Sequence, residues 1–232
     1  MIESVRPYLL RVLAVAIVTG LAVSQAWAQE RRVEVSGTVG WTFSDGVTGV
    51  PADVAGLGVF DAVDPKDAFS WGARVGFLVT RSVEVGFLYD QQATQLEFSG
   101  PGVTVDAGDM TIRTYHGYLA YNFGSDAATI SPYVLVGLGA TSYGAFRPDR
   151  TVVPAATLPV VDGTTKFSMT TAAGLKIGGP RVRYLIEGRF TPTYIRSAFD
   201  GWYCDSDWGC YVVDEPQYAS QFEIAGGIAF RF

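Results

Sequence analysis

Gln221-Phe-Glu-Ile-Ala-Gly-Gly-Ile-Ala-Phe-Arg-Phe232 alternates large apolar side chains with polar or small ones over its whole length. Strand side chains have period two, so Phe222, Ile224, Gly226, Ile228, Phe230 and Phe232 share one face, and Gln221, Glu223, Ala225, Gly227, Ala229 and Arg231 share the other. The same pattern recurs in about eight segments of roughly 10 residues or more, the length a tilted strand needs to cross a bilayer. Besides 221–232, the segments are 32–44, 68–80, 83–98, 110–123, 131–143, 164–178 and 181–191. Most of the charge falls on one phase, which includes Arg74, Glu84, Lys176, Arg183, Glu187, Arg189, Glu223 and Arg231. A soluble lipocalin-like barrel would also have eight up-and-down strands, but with its apolar face inside. Opposed acids and bases on one phase fit a paired interior better than a solvated rind. The expected fold is therefore all-β, an eight-stranded antiparallel up-and-down transmembrane β-barrel.

The connections support this topology. In order along the chain they read long (45–67), short (81–82), medium (99–109), short (124–130), long (144–163), short (179–180) and long (to about Tyr218). Membrane barrels have short turns on one side and long loops on the other, with an even strand number. Trp41, Phe43, Phe69, Trp71, Phe167 and Phe222 fall near one rim, and Tyr121, Phe123, Tyr184, Phe230 and Phe232 near the other, as two interfacial girdles require. Segment 131–143 is apolar on both faces; Val134, Val136 and Leu138 are assigned outward, which lets Gly137 and Gly139 leave room inside for charged neighbours.

Residues 1–28 carry Arg6 and Arg11, an apolar run from Val12 to Ala22 and the small-x-small triplet Ala26-Trp27-Ala28. This reads as a cleaved secretory signal, leaving 29–232 as one barrel domain. The alternative, a membrane anchor, conflicts with an apolar run shorter than the roughly 20 residues a helical span needs. The full chain has a formal net charge of −6, which gives no reason to expect nucleic acid as a partner. Its 27 Gly, 14 Phe, 12 Tyr and 5 Trp suit tight interiors and membrane interfaces.

Few residues offer chemistry. His116 is the sole histidine, so any His-based triad or metal cluster must use it, and it projects inward beside Thr114 and Tyr118 as a satisfied interior side chain. Cys204 and Cys210 lie in the last long loop; after export a disulfide is expected, with metal binding through Asp205 and Asp207 as the alternative. Trp202, Tyr203, Trp208 and Tyr211 surround the cysteines and form either a candidate external binding patch or a self-packed loop. Glu187, Arg189, Glu223 and Arg231 are expected to pair across the barrel floor. An eight-stranded barrel is narrow enough for side chains to fill, which argues against open diffusion. No cofactor, metal or catalytic residue is expected.

Through Val83-Glu-Val-Gly-Phe-Leu-Tyr89, Pro132-Tyr-Val-Leu-Val-Gly-Leu-Gly139, Glu187-Gly-Arg189 and the final strand, the chain resembles small eight-stranded bacterial outer-membrane barrels, the family of outer membrane protein A membrane domains and opacity proteins. The resemblance covers nearly all of 29–232 and implies location in the cell outer membrane without a peptidoglycan-binding domain. It also implies that Gly227, Phe230 and Phe232 form an assembly signal, although Ala225 replaces the polar residue usual in that signal. The implied partners are outer-membrane lipids and lipopolysaccharide, the barrel-assembly machinery and periplasmic chaperones, for a monomer. Lipid A deacylases of this size use a His-x-Ser pairing, where this chain has His116-Gly-Tyr118. The expected role is thus a non-enzymatic scaffold displaying four loops, for envelope integrity or surface interaction. A porin-like or lateral transporter of a small apolar solute is the alternative.

Overall fold

In the computed structural model the described residues are 32–54, 58–100, 103–124, 128–145, 147–148, 163–195 and 217–232. The segment 1–28 expected to be a signal, the expected disulfide pair Cys204 and Cys210, and the candidate patch Trp202, Tyr203, Trp208 and Tyr211 lie outside them. Eight long strands form the wall: β1 (Val33–Asp45), β4 (Ala68–Leu78), β5 (Val83–Gly100), β6 (Val103–Asn122), β7 (Ile130–Tyr143), β9 (Thr164–Gly178), β10 (Val182–Ile195) and β11 (Gln217–Arg231). Three shorter elements, β2 (Val47–Val54), β3 (Gly58–Pro65) and β8 (Arg147–Pro148), attach at the end where the long connections lie.

Each wall strand pairs antiparallel with its sequence neighbour, and β1 pairs with β11 from Glu34↔Arg231 to Asp45↔Ser220, so the sheet closes. Closure removes the free edges that hydrocarbon would leave unsatisfied. The alternation in the sequence becomes a radial one: β1 is exposed and buried in strict turn from Val33 to Val39. Val134, Val136 and Leu138 face outward, at 44%, 53% and 59% exposure, which resolves the phase of β7 as expected. Every aromatic assigned to a girdle is exposed on the outer surface. Phe43 and Phe222 stack at one end with ring centroids 6.4 Å apart, and Tyr121 and Phe123 meet edge to face at the other, 4.9 Å apart.

The structure corrects three boundaries. The connection 45–67 contains the β2–β3 hairpin, and β3 pairs with the outer part of β5 from Ala62↔Ser99 to Pro65↔Leu96. The medium loop expected at 99–109 is instead strand at 99–100 and 103–109: β5 and β6 remain paired to Gly100↔Val103, with a register shift between Leu96 and Glu97. Gly, Pro and Asp in these stretches suggest turns, but an already formed strand beside them supplies the ladder that overrides local propensity. Finally, β10 continues past Thr191 to Ile195 and carries Pro192. Beyond the wall, Lys66 bridges Asp106 at 2.5 Å and Glu97 at 3.4 Å, with Asp106 the main cause of its raised pKa. Asp64, partly buried, is held above the usual carboxylate range by desolvation although the Gly46 N–H donates to it at 3.0 Å.

Inward glycines set how closely the strands and their contents approach. A Cβ on Gly139 would lie 1.9 Å from the Tyr115 carbonyl oxygen and 2.7 Å from the His116 ring, so the glycines of β7 accommodate an imidazole and Thr170, not the charged groups expected from the sequence. Nothing lies within 4 Å of the corresponding point at Gly179. Gly139→Ala is expected to destabilise the barrel by about 2 kcal/mol or more, because backbone must move, whereas Gly179→Ala is expected to be near neutral. Denaturant midpoints of the refolded variants, read as loss of the compact unheated gel form, check the contrast; equal midpoints contradict it.

Candidate functional site: the charged interior

The lumen contains ten buried carboxylate, guanidinium and ammonium side chains among the described residues: Glu34, Glu84, Asp90, Glu187 and Glu223 against Arg74, Lys176, Arg183, Arg189 and Arg231. Five acids and five bases make the interior formally neutral. Strand phase places each one inward, and barrel curvature then brings non-adjacent strands within reach. Arg74 on β4 donates from Nη1 to Glu187 Oε2 on β10 at 2.7 Å, while the Tyr133 hydroxyl on β7 donates to the same oxygen at 2.5 Å. Lys176 on β9 donates to Glu34 Oε1 on β1 at 2.5 Å and to Glu84 Oε2 on β5 at 2.9 Å, and Tyr118 donates to Glu84 Oε1 at 2.6 Å. The Tyr133 ring lies beneath both cations, 5.7 Å from the Arg74 guanidinium carbon and 5.2 Å from Lys176 Nζ.

A second set lies nearer the long-connection end. Arg189 donates to Asp90 Oδ2 at 2.8 Å and pairs directly with Glu223, its register partner on β11; Ser70 donates to the other Glu223 oxygen at 3.0 Å. At the opposite, short-turn end, Arg231 donates to Glu34 Oε2 at 2.9 Å, again across a register pair, and Arg183 donates to Ser131 Oγ at 3.4 Å and to the Gly179 carbonyl at 3.2 Å. The residues expected on a floor are therefore distributed along the barrel, with Glu187 reaching across it.

The charged set expected from the sequence did not include Glu34, Asp90 or the bridging phenols Tyr118 and Tyr133. Inward phase was the available signal for all four. His116 is fully buried, with Nε2 2.8 Å from Ser168 Oγ, which accepts from Thr141 at 2.9 Å; its Nδ1 meets no hydrogen-bond partner. A base without an orienting acid is a poor catalytic dyad. Gly227 faces inward, where a Cβ would lie 2.8 Å from Thr38 Cγ2, while Phe230 and Phe232 are exposed outside. No group of three or more His, Cys, Asp or Glu side chains that could hold a metal occurs among the described residues.

Leu88, Leu135, Leu185, Ala120, Ala172 and Ala229 pack with Tyr118 and Tyr133 into an apolar cluster that fills the lumen between the charged groups. One cavity of about 20 Å³ lies among Thr42, Asp90, Thr114, Arg189, Thr191 and Glu223, room for about one water. The interior is thus a packed, charge-compensated plug.

Residues 13–179 match the outer membrane protein beta-barrel domain family, and the chain belongs to that family. The structure is similar to outer membrane protein OprG from Pseudomonas aeruginosa, with a TM-score of 0.58 at 11% identity, covering 88% of this chain and 97% of that one. It is also similar to Neisserial surface protein A, with a TM-score of 0.52 at 11% identity, covering 86% and 97% respectively. At such identity the likeness concerns fold alone. No curated protein sequence matches the chain. Family, closed wall and apolar exterior place the protein in the cell outer membrane, with the short turns periplasmic and the long connections outside.

Removing Glu187 leaves Arg74 and the Tyr133 hydroxyl without their shared acceptor inside the barrel. Glu187→Met is expected to cost about 3 kcal/mol, whereas replacing both partners, Arg74→Met with Glu187→Met, is expected to recover more than half of that loss because the buried charges go together. Unfolding free energies in detergent for the two single variants and the double variant check the coupling. Additive losses would show that Arg74 and Glu187 do not act as a pair.

Proposed function

We propose that the protein is a non-enzymatic membrane scaffold that holds four extracellular connections at the cell surface, serving envelope integrity or surface interaction. The packed, formally neutral lumen is the observation that carries this reading. A cavity among its inward charges accommodates about one water, and its one histidine lacks an acid partner. Outer-membrane lipids and lipopolysaccharide are its surroundings and partners in this reading. Gly227, Phe230 and Phe232 are the element that assembly machinery reads, delivered by periplasmic chaperones. Cys204 and Cys210 form a loop disulfide beside Trp202, Tyr203, Trp208 and Tyr211. The barrel acts as a monomer.

One observation favours lateral transport of a small apolar solute as a second reading. The β9–β10 ladder lapses between Phe190↔Thr171 and Thr193↔Ser168, at the position of Pro192, which has no N–H to contribute. Behind the lapse, the Thr170 and Thr191 hydroxyls lie 3.1 Å apart and close it from inside.

In planar bilayers the purified protein is expected to show no sustained conductance, and vesicles containing it no accelerated uptake of a small apolar solute such as octane. Steady conductance would overturn the sealed-lumen reading. Uptake that Pro192→Ala abolishes would replace the scaffold with the lateral transporter.

A further inference from the structure

The outer wall from one aromatic girdle to the other is mostly apolar. Arg113 on β6 has outward phase and is half-buried, and it is the only cation in that belt among residues whose side chains are described. Its guanidinium Nε donates to Gln91 Oε1 at 3.3 Å, and no described carboxylate pairs with it. The strand register sets Arg113 in a transverse row of hydrogen-bonding side chains, Gln91 on β5, Ser142 on β7 and Thr165 on β9, with Trp71 of β4 at its end. One row closer to the membrane centre lie Tyr89 and Tyr115, with ring centroids 5.3 Å apart, and Trp71 packs edge-on to Tyr89 at 5.5 Å. The Tyr89 hydroxyl also donates to Gln91 Oε1, at 2.7 Å, which fixes that oxygen toward the guanidinium.

Depth identifies the environment. Phe123 in the periplasmic girdle and Arg113 lie ten residues apart on one strand line. At about 3.3 Å per residue and a tilt of about 40°, that separation rises about 25 Å, the height of the apolar band. Arg113 therefore sits where hydrocarbon gives way to the headgroups of the outer leaflet. A cation at this boundary reaches toward polar groups, and a planar guanidinium with spare donors matches a phosphate.

We propose that Arg113, with Gln91, Ser142 and Thr165, binds a phosphate of a phosphorylated glycolipid of the outer leaflet, whose acyl chains lie over Tyr89, Tyr115 and Trp71. Charge complementarity decides the occupant, since the belt offers an unpaired cation at the depth where lipid phosphates lie. The inference rests on the reading that outer-leaflet lipid is a partner of this barrel, and it assigns the contact.

The test uses the full mature chain refolded in phosphatidylcholine vesicles doped with diphosphorylated lipid A, followed by release into mild detergent and native mass spectrometry. Retention of lipid A by the wild type is expected to exceed that of Arg113→Gln about tenfold, the effect of one charge-assisted contact. Arg113→Lys, which keeps charge but loses the planar fork, should retain an intermediate amount. Dephosphorylated lipid A should be retained no better by the wild type than by Arg113→Gln. Equal retention of lipid A by wild type and Arg113→Gln, or equal retention of the phosphorylated and dephosphorylated forms, would overturn the proposal. Unheated gel mobility confirms that each variant is a closed barrel. Conductance and octane uptake on the same samples report on the scaffold reading separately, so either idea can fail without the other.

Discussion

A polypeptide in hydrocarbon has no solvent to take up its amide groups, so every backbone donor and acceptor must find a partner within the protein. The pairing of β1 with β11 meets that demand for the whole cylinder, because it joins the two strands that would otherwise be edges. Everything else follows from the closure. It divides each strand into a face toward lipid and a face toward a narrow lumen, and it makes the lumen too small for bulk water. Charged side chains placed there must pair with one another. The equal count of acids and bases among the described residues is a consequence of that enclosure.

Period-two patterning was legible because a one-residue slip would exchange the lipid and lumen faces along an entire strand. The lumen charges were legible for the same reason, as residues of a common phase. Which acid meets which base was less so. Arg189 with Glu223 and Arg231 with Glu34 are direct register neighbours and follow from strand order. Arg74 with Glu187, and Lys176 with Glu84, cross the barrel, and their distances depend on its diameter and on side-chain reach. Tyr118 and Tyr133 escaped notice because an inward aromatic reads as core filling, while here the hydroxyl end joins carboxylates.

Outside the wall the sequence was a poorer guide. Segment 45–67 is rich in Gly, Pro and Asp, yet it folds back as β2 and β3 because the outer part of β5 presents an unpaired edge. The signal for that outcome lies in a different part of the chain. The glycines show the converse dependence. Gly76 has room for no side chain because Glu84 and Tyr118 occupy the space, and Gly174 is held against the Tyr133 ring. Each small residue reports the bulk of a side chain on another strand.

The β5–β6 hairpin is continuous with the wall, and its only described irregularity is the offset at Leu96/Glu97, opposite which Gly108 has φ of 151°. A bulge increases local twist and bends the strand that carries it. The outer part of the hairpin, up to the Gly100↔Val103 pair at its tip, therefore bends where that offset sits. A molecule pulling on that tip would load the hydrogen-bond ladder of the barrel itself, and the bulge is where such a force would turn into bending.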